Sequence, residues 1–358
     1  MQTDHRVVAG DARELAALED DSVELVVTSP PYPMIEMWDD VFTALDPRVG
    51  EHLEAGRARE AFDAMHAALE PAWSELARVL VDGGIACVNV GDATRRLDGR
   101  FRVYPNHARV VEALERLGFE PLPEVLWRKP TNAATKFMGS GMLPPNAYVT
   151  LEHEHLQPFR LGDTPRSFEP GADRRYRAAY FWEERNRWFS DVWSDVRGED
   201  QALLDDDLRE RSGAFPLEVP YRLVSMFSVY GDTVLDPFWG TGTTTLAAMA
   251  AGRHSVGVER APALVAAFDD RVEAIPSRSR RRAERRLAAH AAFVERSRSE
   301  GRTFEHRSDA YGFPVTTAQE RHLEVYAVDR VEATQTGFSA HHRLVEVPEG
   351  SVDPVEGI

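Results

Sequence analysis

The sequence predicts a doubly wound α/β fold, a mostly parallel sheet with helices on both faces. Three observations carry that expectation. Short apolar runs at residues 23–27, 85–90 and 254–259 have the character of buried parallel strands and alternate with stretches of helical period. The run at 23–27 is stopped at once by Ser29-Pro30-Pro31-Tyr32, where neither proline ring can donate to a ladder and Ser29 is held extended by the proline after it. The run at 233–236 passes into Pro237-Phe238-Trp239-Gly240-Thr241-Gly242 and then a helix, the strand–turn–helix unit of such sheets.

Taken in order, residues 6–11 form a strand ending at Gly10-Asp11, and 12–18 have helical character. After the proline turn, Phe62, Met65, Leu69, Trp73, Leu76 and Leu80 recur at helical spacing, with Asp82-Gly83-Gly84 as the stop. The strand at 85–90 ends in Gly91-Asp92, a helix at 107–117 stops at Gly118, and 124–130 is a strand with 148–159 as its antiparallel neighbour. Residues 131–146 read as loop, and 164–212 as a polar stretch rich in Arg, Trp and Tyr. Regular structure returns with a helix at 217–230, the strand at 233–236 and a helix to Ala251. The strand at 254–259 and a helix at 262–273 follow, then a basic helix at 277–298 and a small β element in the tail. The expected division is 1–161 with 214–275 as one discontinuous domain, 162–213 as an insertion, and 276–358 as a C-terminal extension.

With 358 residues, 43% of them hydrophobic, the chain can bury a large core. No stretch approaches the ~20 apolar residues of a membrane span, and the charged start is no secretory signal, so the expected location is cytoplasmic with no membrane partner. A single cysteine excludes a disulfide framework. Net charge is −17, yet residues 277–298 carry eight Arg against two Glu, and 127–191 carry ten Lys/Arg against eight Asp/Glu. A nucleic-acid partner is therefore compatible with those segments only. Abundant surface acid with Arg far outnumbering Lys resembles haloarchaeal composition.

Ser29-Pro30-Pro31-Tyr32 resembles the Ser/Asp/Asn-Pro-Pro-Tyr motif of the amino methyltransferases, which methylate exocyclic amines with S-adenosylmethionine. Asp236-Pro-Phe238-x-Gly240-x-Gly242 is similar to the cofactor motif of the same family. The resemblance implies that Ser29, Pro30, Pro31 and Tyr32 are catalytic. It implies cofactor contacts from Phe238, Gly240, Thr241, Gly242 and Thr243, with Asp236 on the cofactor's ammonium, Glu259 on its ribose and Asp11 near its adenine. The catalytic motif precedes the cofactor motif by about two hundred residues, with the polar stretch between. That order is similar to the permuted β-group of DNA amino methyltransferases, whose target-recognition region lies between the motifs. The implied fold is the Rossmann-like S-adenosylmethionine-dependent methyltransferase sheet. The implied function is site-specific methylation of double-stranded DNA on N4 of cytosine, the product associated with serine at the first motif position. Adenine N6 is the alternative, and a catalytically inactive DNA-binding regulator with the same fold is a second. The chain also resembles haloarchaeal methyltransferases of CTAG sites, and a cognate restriction endonuclease is an expected partner.

Other residues read less specifically. Cys87, inside an apolar strand, is a core residue rather than a nucleophile. His153 and His155, alternating with Glu152 and Glu154, lack further ligands at matching spacing, so no metal is expected. Trp182, Trp188 and Trp193, interleaved with Arg185, Arg187 and Arg197, either meet DNA or anchor a small core; Arg185 and Arg187 are taken as DNA contacts. The Arg278–Arg286 cluster is either a solvated helix end or a phosphate-contacting face, with Arg280, Arg281 and Arg285 as the expected contacts.

Overall fold

A computed structural model describes residues 1–129, 138–197 and 215–347. The expectations for 130–137, for 198–214 and for the tail beyond 347 lie outside the described residues. The elements that position the site are β1 (Gln2–Ala9), β2 (Val23–Thr28), α1 (Ala58–Val79), β3 (Leu80–Val90), α2 (Asn106–Glu115), β4 (Phe119–Pro121), β5 (Val125–Arg128) and β6 (His153–Leu161). They continue with α3 (Trp182–Trp188), β7 (Val192–Trp193), α4 (Glu218–Phe227), β8 (Thr233–Asp236), α5 (Thr243–Ala251), β9 (His254–Glu259), α6 (Ile275–Ser299), β10 (Tyr326–Ala333) and β11 (Gly337–Leu344).

All eleven of these strands belong to one sheet, in the order β7-β5-β6-β3-β2-β8-β9-β1-β11-β10, with β4 beside β6. Strands β3, β2, β8, β9 and β1 pair in parallel along that order. Strand β6 runs antiparallel between β3 and β5, so its N-terminal residues lie beside the C-terminal end of β3. Alternation within β2 separates two cores. Val26 packs with Leu69, Trp73 and Leu76 of α1, whereas Leu25 and Val27 pack on the other face with Leu223 and Val224 of α4 and Leu246 of α5. This is the doubly wound architecture expected from the apolar runs.

Three expectations are corrected and a fourth is extended. Residues 12–18 form turns, not a helix, because Arg78 of α1 donates to the carbonyls of Leu15 and Leu18 that helix continuation needs, and Glu75 takes the Leu15 N–H. Asp82-Gly83-Gly84 does not end α1; it lies inside β3, where pairing with β2 shifts register. There Gly83 has φ +73, and a Cβ would lie 2.6 Å from the backbone nitrogen of Arg166. The helix at 262–273 is two short helices, Pro262–Ala266 and Asp269–Glu273. The break turns Phe268 onto Trp239, ring centroids 4.7 Å apart. Finally, the tail does hold a small β element, His306–Arg307 paired with Pro314–Val315, but it also reaches further than expected, since β11 pairs antiparallel with β1 and extends the main sheet.

Helix α6 has two faces. Arg282 and Arg286 turn inward, Arg282 to Glu218 at 2.5 Å and Arg286 to Glu184 at 2.6 Å, with the Arg286 guanidinium also facing the Trp188 ring. Arg286 is thus a buried ion-pair partner, not a surface phosphate contact, and the charge of the 278–286 cluster is partly neutralised inside the fold. Arg280, Arg281 and Arg285 are exposed on the other face. Trp188 and Trp193 are core anchors, both nearly inaccessible, while Trp182 is partly exposed. Arg185 and Arg187 are exposed on α3, and Arg187 lies 4.0 Å from Asp195.

Candidate active site

The C-terminal ends of β2 and β8 lie side by side, and one hydrogen bond ties their turns together. Thr28 Oγ1 donates to Asp236 Oδ1 at 2.7 Å. Sequence reasoning passed over Thr28, although its place before Ser29 at a strand end put it beside the neighbouring strand's last residue. Asp236 is almost wholly buried and also accepts from the Phe238 N–H at 3.2 Å. Burial raises its pKa to about 6; the Thr28 and Thr244 hydroxyls and the Phe238 N–H partly oppose that, and the charge of Glu259 adds to it.

Beyond Asp236 the chain makes the glycine turn. Gly240 and Gly242 have φ of +55 and +76, conformations that side-chain-bearing residues rarely adopt. A Cβ on Gly242 would lie 2.4 Å from Phe268 Cε2, so this glycine admits the aromatic wall behind the turn. A Cβ on Gly240 would meet only the Phe238 carbonyl, at 3.8 Å, so its outer side is open to a ligand. Glu259, at the end of β9, fixes the turn by accepting from Gly240 N and Ala261 N, both at 2.8 Å. Thr241 and Thr243 are buried and 3.3 Å apart at their hydroxyls. Arg271, unnoticed in the sequence, holds the Thr241 carbonyl and the Thr243 hydroxyl from behind. Burial, with Arg278 nearby, lowers its pKa to about 10. Helix α5 starts from this turn with its N–H groups directed toward the strand ends. Asp11 sits beyond β1, its carboxylate held by Arg13 at 2.9 Å and by Arg260 at 3.6 Å. Burial opposes its ionisation, yet the Arg13 side chain and backbone N–H and Arg260 hold its carboxyl below the usual range.

The proline turn is stiffened further by Met34, a buried non-glycine residue at φ +67. Within it, Ser29 Oγ lies 2.9 Å from the Tyr32 hydroxyl. Three partners missed in the sequence complete the site. Asn89, on β3, donates from Nδ2 to the Tyr32 hydroxyl at 2.8 Å and to Glu154 Oε2 at 2.7 Å. Glu154, on β6, also accepts from the Tyr32 hydroxyl at 3.1 Å and from Lys129 Nζ at 2.5 Å. Burial and the Glu154 carboxylate push the Tyr32 hydroxyl well above its usual pKa, so it stays protonated. The alternation of Glu152 and Glu154 with histidines was the available signal, weighed only for metal binding and set aside when that reading failed.

Among the described residues, Asp92, His107 and His155 bring possible ligand atoms within 4.8 Å of one another. Their arrangement is that of packed, hydrogen-bonded side chains. The two imidazoles stack in parallel with centroids 4.1 Å apart, while His107 Nδ1 pairs with Asp92 at 2.8 Å and His155 Nδ1 with Glu124 at 3.2 Å. Cys87 is buried, and burial pushes its thiol pKa upward, away from nucleophilic use. No described helix is long and apolar enough to cross a membrane.

A family model described as DNA methylase matches residues 23–269, a span that includes both turns. The chain is 44% identical over 329 residues to Type II methyltransferase M.MthZI of Methanothermobacter thermautotrophicus, covering 91% of each. It is 49% identical over 268 residues to Type II methyltransferase M.MjaI of Methanocaldococcus jannaschii, covering 72% of this chain and 87% of that one. Among solved structures, protein TTHA0409 of Thermus thermophilus, crystallised with S-adenosyl-L-methionine, is 34% identical with a TM-score of 0.58. That match covers 75% of this chain and 92% of the other. The PvuII DNA methyltransferase (cytosine-N4-specific) is 18% identical with a TM-score of 0.51 over 75% of this chain and 86% of that one, a likeness of fold alone.

Proposed function

Since the chain belongs to the family of DNA methylases that act on exocyclic amines and use S-adenosyl-L-methionine, we propose that it transfers the donor's methyl group to N4 of cytosine in double-stranded DNA. The observation that carries this reading is a neutral hydroxyl, Ser29 Oγ, at the end of β2, tied through Thr28 and Asp236 to the turn built for the donor. Glu259, Asp236 and the open side of Gly240 would hold the cofactor, with Asp11 and Phe238 flanking it. The group supplies an electrophilic methyl on a sulfonium. The protein's part is then to position the base, accept hydrogen bonds and stabilise charge.

A cytosine amine is a poor nucleophile because its lone pair is delocalised into the ring. Ser29 Oγ and the Pro30 carbonyl accept its two N–H groups, which favours a pyramidal nitrogen and stabilises the positive charge that grows there. The base first leaves the helix at a cost of a few kcal/mol, and stacking on Tyr32 returns about 1–3 kcal/mol of that. Residues 162–213 are assigned to target recognition, with Arg185 and Arg187 on DNA, and Arg280, Arg281 and Arg285 on phosphates. The proposed target is CTAG, the site that the resemblance implies. A cognate restriction endonuclease is the proposed partner, in keeping with the Type II relatives. Acidic composition fits a chain working in concentrated salt, where counterion release adds little and base contacts carry more of the affinity.

The test is product identity. Unmodified DNA incubated with enzyme and S-adenosyl-L-methionine in high salt is digested to nucleosides and weighed by mass spectrometry. N4-methylcytosine is expected. N6-methyladenine alone would replace the cytosine reading, and 5-methylcytosine would overturn the mechanism.

A further inference from the structure

The hydroxyls of the proline turn end at a carboxylate, and the polarity of that chain is fixed. Glu154 Oε2 lies 2.7 Å from the Asn89 amide, a distance that needs a donor, so Asn89 presents its NH2 group. The same NH2 group donates to the Tyr32 oxygen at 2.8 Å. A carboxylate only accepts, so the 3.1 Å contact takes the Tyr32 hydrogen to Glu154 Oε2, and with that hydrogen used the Ser29–Tyr32 contact takes the Ser29 hydrogen. Asn89 Nδ2 also lies 3.4 Å from Ser29 Oγ, and of the two lone pairs there one is left for the amine. Lys129, at the end of β5, balances the carboxylate from its other oxygen.

We propose that Glu154 is the terminal proton acceptor for the transferred amine, reached through Ser29 and Tyr32. This rests on the reading that the substrate amine donates to Ser29. As the nitrogen lone pair forms the N–C bond, the C–S bond of the donor breaks and its electron pair goes to sulfur. The nitrogen, now bearing two hydrogens, a methyl and a positive charge, gives one proton to Ser29 Oγ. Ser29 passes its own hydrogen to the Tyr32 oxygen, and Tyr32 passes its own to Glu154 Oε2. Atoms and charge balance: the product amine is neutral, both hydroxyls are restored and Glu154 is a carboxylic acid beside Lys129. Glu154 is assigned no contact with substrate or donor, so its role is played through Tyr32. The Pro30 carbonyl, the amine's other acceptor, has no hydrogen to pass on and cannot serve as a relay.

The experiment compares single-turnover methyl incorporation in the parent, Glu154→Gln, Tyr32→Phe and the double variant, in H2O and in D2O. Tyr32→Phe keeps the aromatic face while cutting the relay at its middle. Each single variant should lose on the order of 100-fold in rate, with cofactor and DNA affinities unchanged. The double variant should lose no more than either single one, because both cut the same path. The parent should slow more in D2O than Glu154→Gln does, a difference that a merely structural role would not produce. A Glu154→Gln rate within about threefold of the parent, multiplying losses in the double variant, or equal solvent isotope effects would each overturn the relay. Total methyl incorporation is counted, so an N6-methyladenine product would defeat the cytosine reading while leaving this comparison intact.

Discussion

The proline turn after β2 and the glycine turn after β8 end neighbouring parallel strands, yet they are built from different materials. In the glycine turn the open side at Gly240 is backbone, and the side chains around it, Glu259, Arg271 and Phe268, hold that backbone in shape. In the proline turn the backbone is stiff by itself, and its side chains carry the hydrogen bonds. The first suits a group that must be gripped along its length. The second suits an amine whose charge changes during the reaction, because hydroxyls and a carboxylate can respond to a moving proton where a backbone amide cannot. The difference predicts that damage to the glycine turn shows as lost binding, and damage to the proline turn as lost rate.

The largest expected effect that would sharpen this contrast lies at Asp236. Its pKa is raised by burial from an ordinary carboxyl value to about 6. Its contribution to stability is therefore fully present below the unfolded pKa near 4 and is lost as pH rises through 6. At pH 7 that is on the order of 3 kcal/mol, a cost the fold carries to keep a charge where the cofactor's ammonium is assigned. Without cofactor, Asp236→Asn should be more stable than the parent at about pH 7 and no more stable near pH 4, read by thermal unfolding. It should also bind S-adenosyl-L-methionine more weakly. Parallel stability curves for the two proteins across that range would remove the argument.

Glu259→Ala comes next. Two backbone N–H groups lose their acceptor and the ribose its acid, so cofactor affinity should fall roughly 10- to 100-fold by calorimetry, about 1.4 kcal/mol per factor of ten. The smallest effect on the two turns should come from α6. Neutralising Arg280, Arg281 and Arg285 together should leave cofactor affinity untouched. It should weaken binding to all DNA sequences alike, flattening the salt dependence by roughly one unit of slope per lost contact. Salt curves that coincide with the parent's would make that face merely solvated.

These two turns also differ in how far the sequence revealed them. The glycine turn is local. Its strand, its glycines and the helix after it occupy about twenty consecutive residues, and β8 and β9 have the bounds that the apolar runs predict. The proline turn is local only as far as Tyr32. Its partners arrive from β3 and β6, and no spacing announces that Asn89 and Glu154 meet Ser29 and Tyr32 once β6 inserts antiparallel between β3 and β5. The same limit applies elsewhere. Helical character at 12–18 is overruled by Arg78, about sixty residues away. In α6 the buried positions Ser279, Arg282, Ala283, Leu287 and His290 recur every three or four residues. That period was present in the sequence, but arginines disguised it as a uniformly basic face.

The measurement that tests the division of labour most directly is Ser29→Ala, taken through the same calorimetric titration as Glu259→Ala and through single-turnover methyl transfer. Ser29→Ala should bind S-adenosyl-L-methionine as the parent does while losing about 100-fold or more in rate, since its contact strengthens as charge develops on the amine. Cofactor affinity lost in Ser29→Ala and kept in Glu259→Ala would contradict the account.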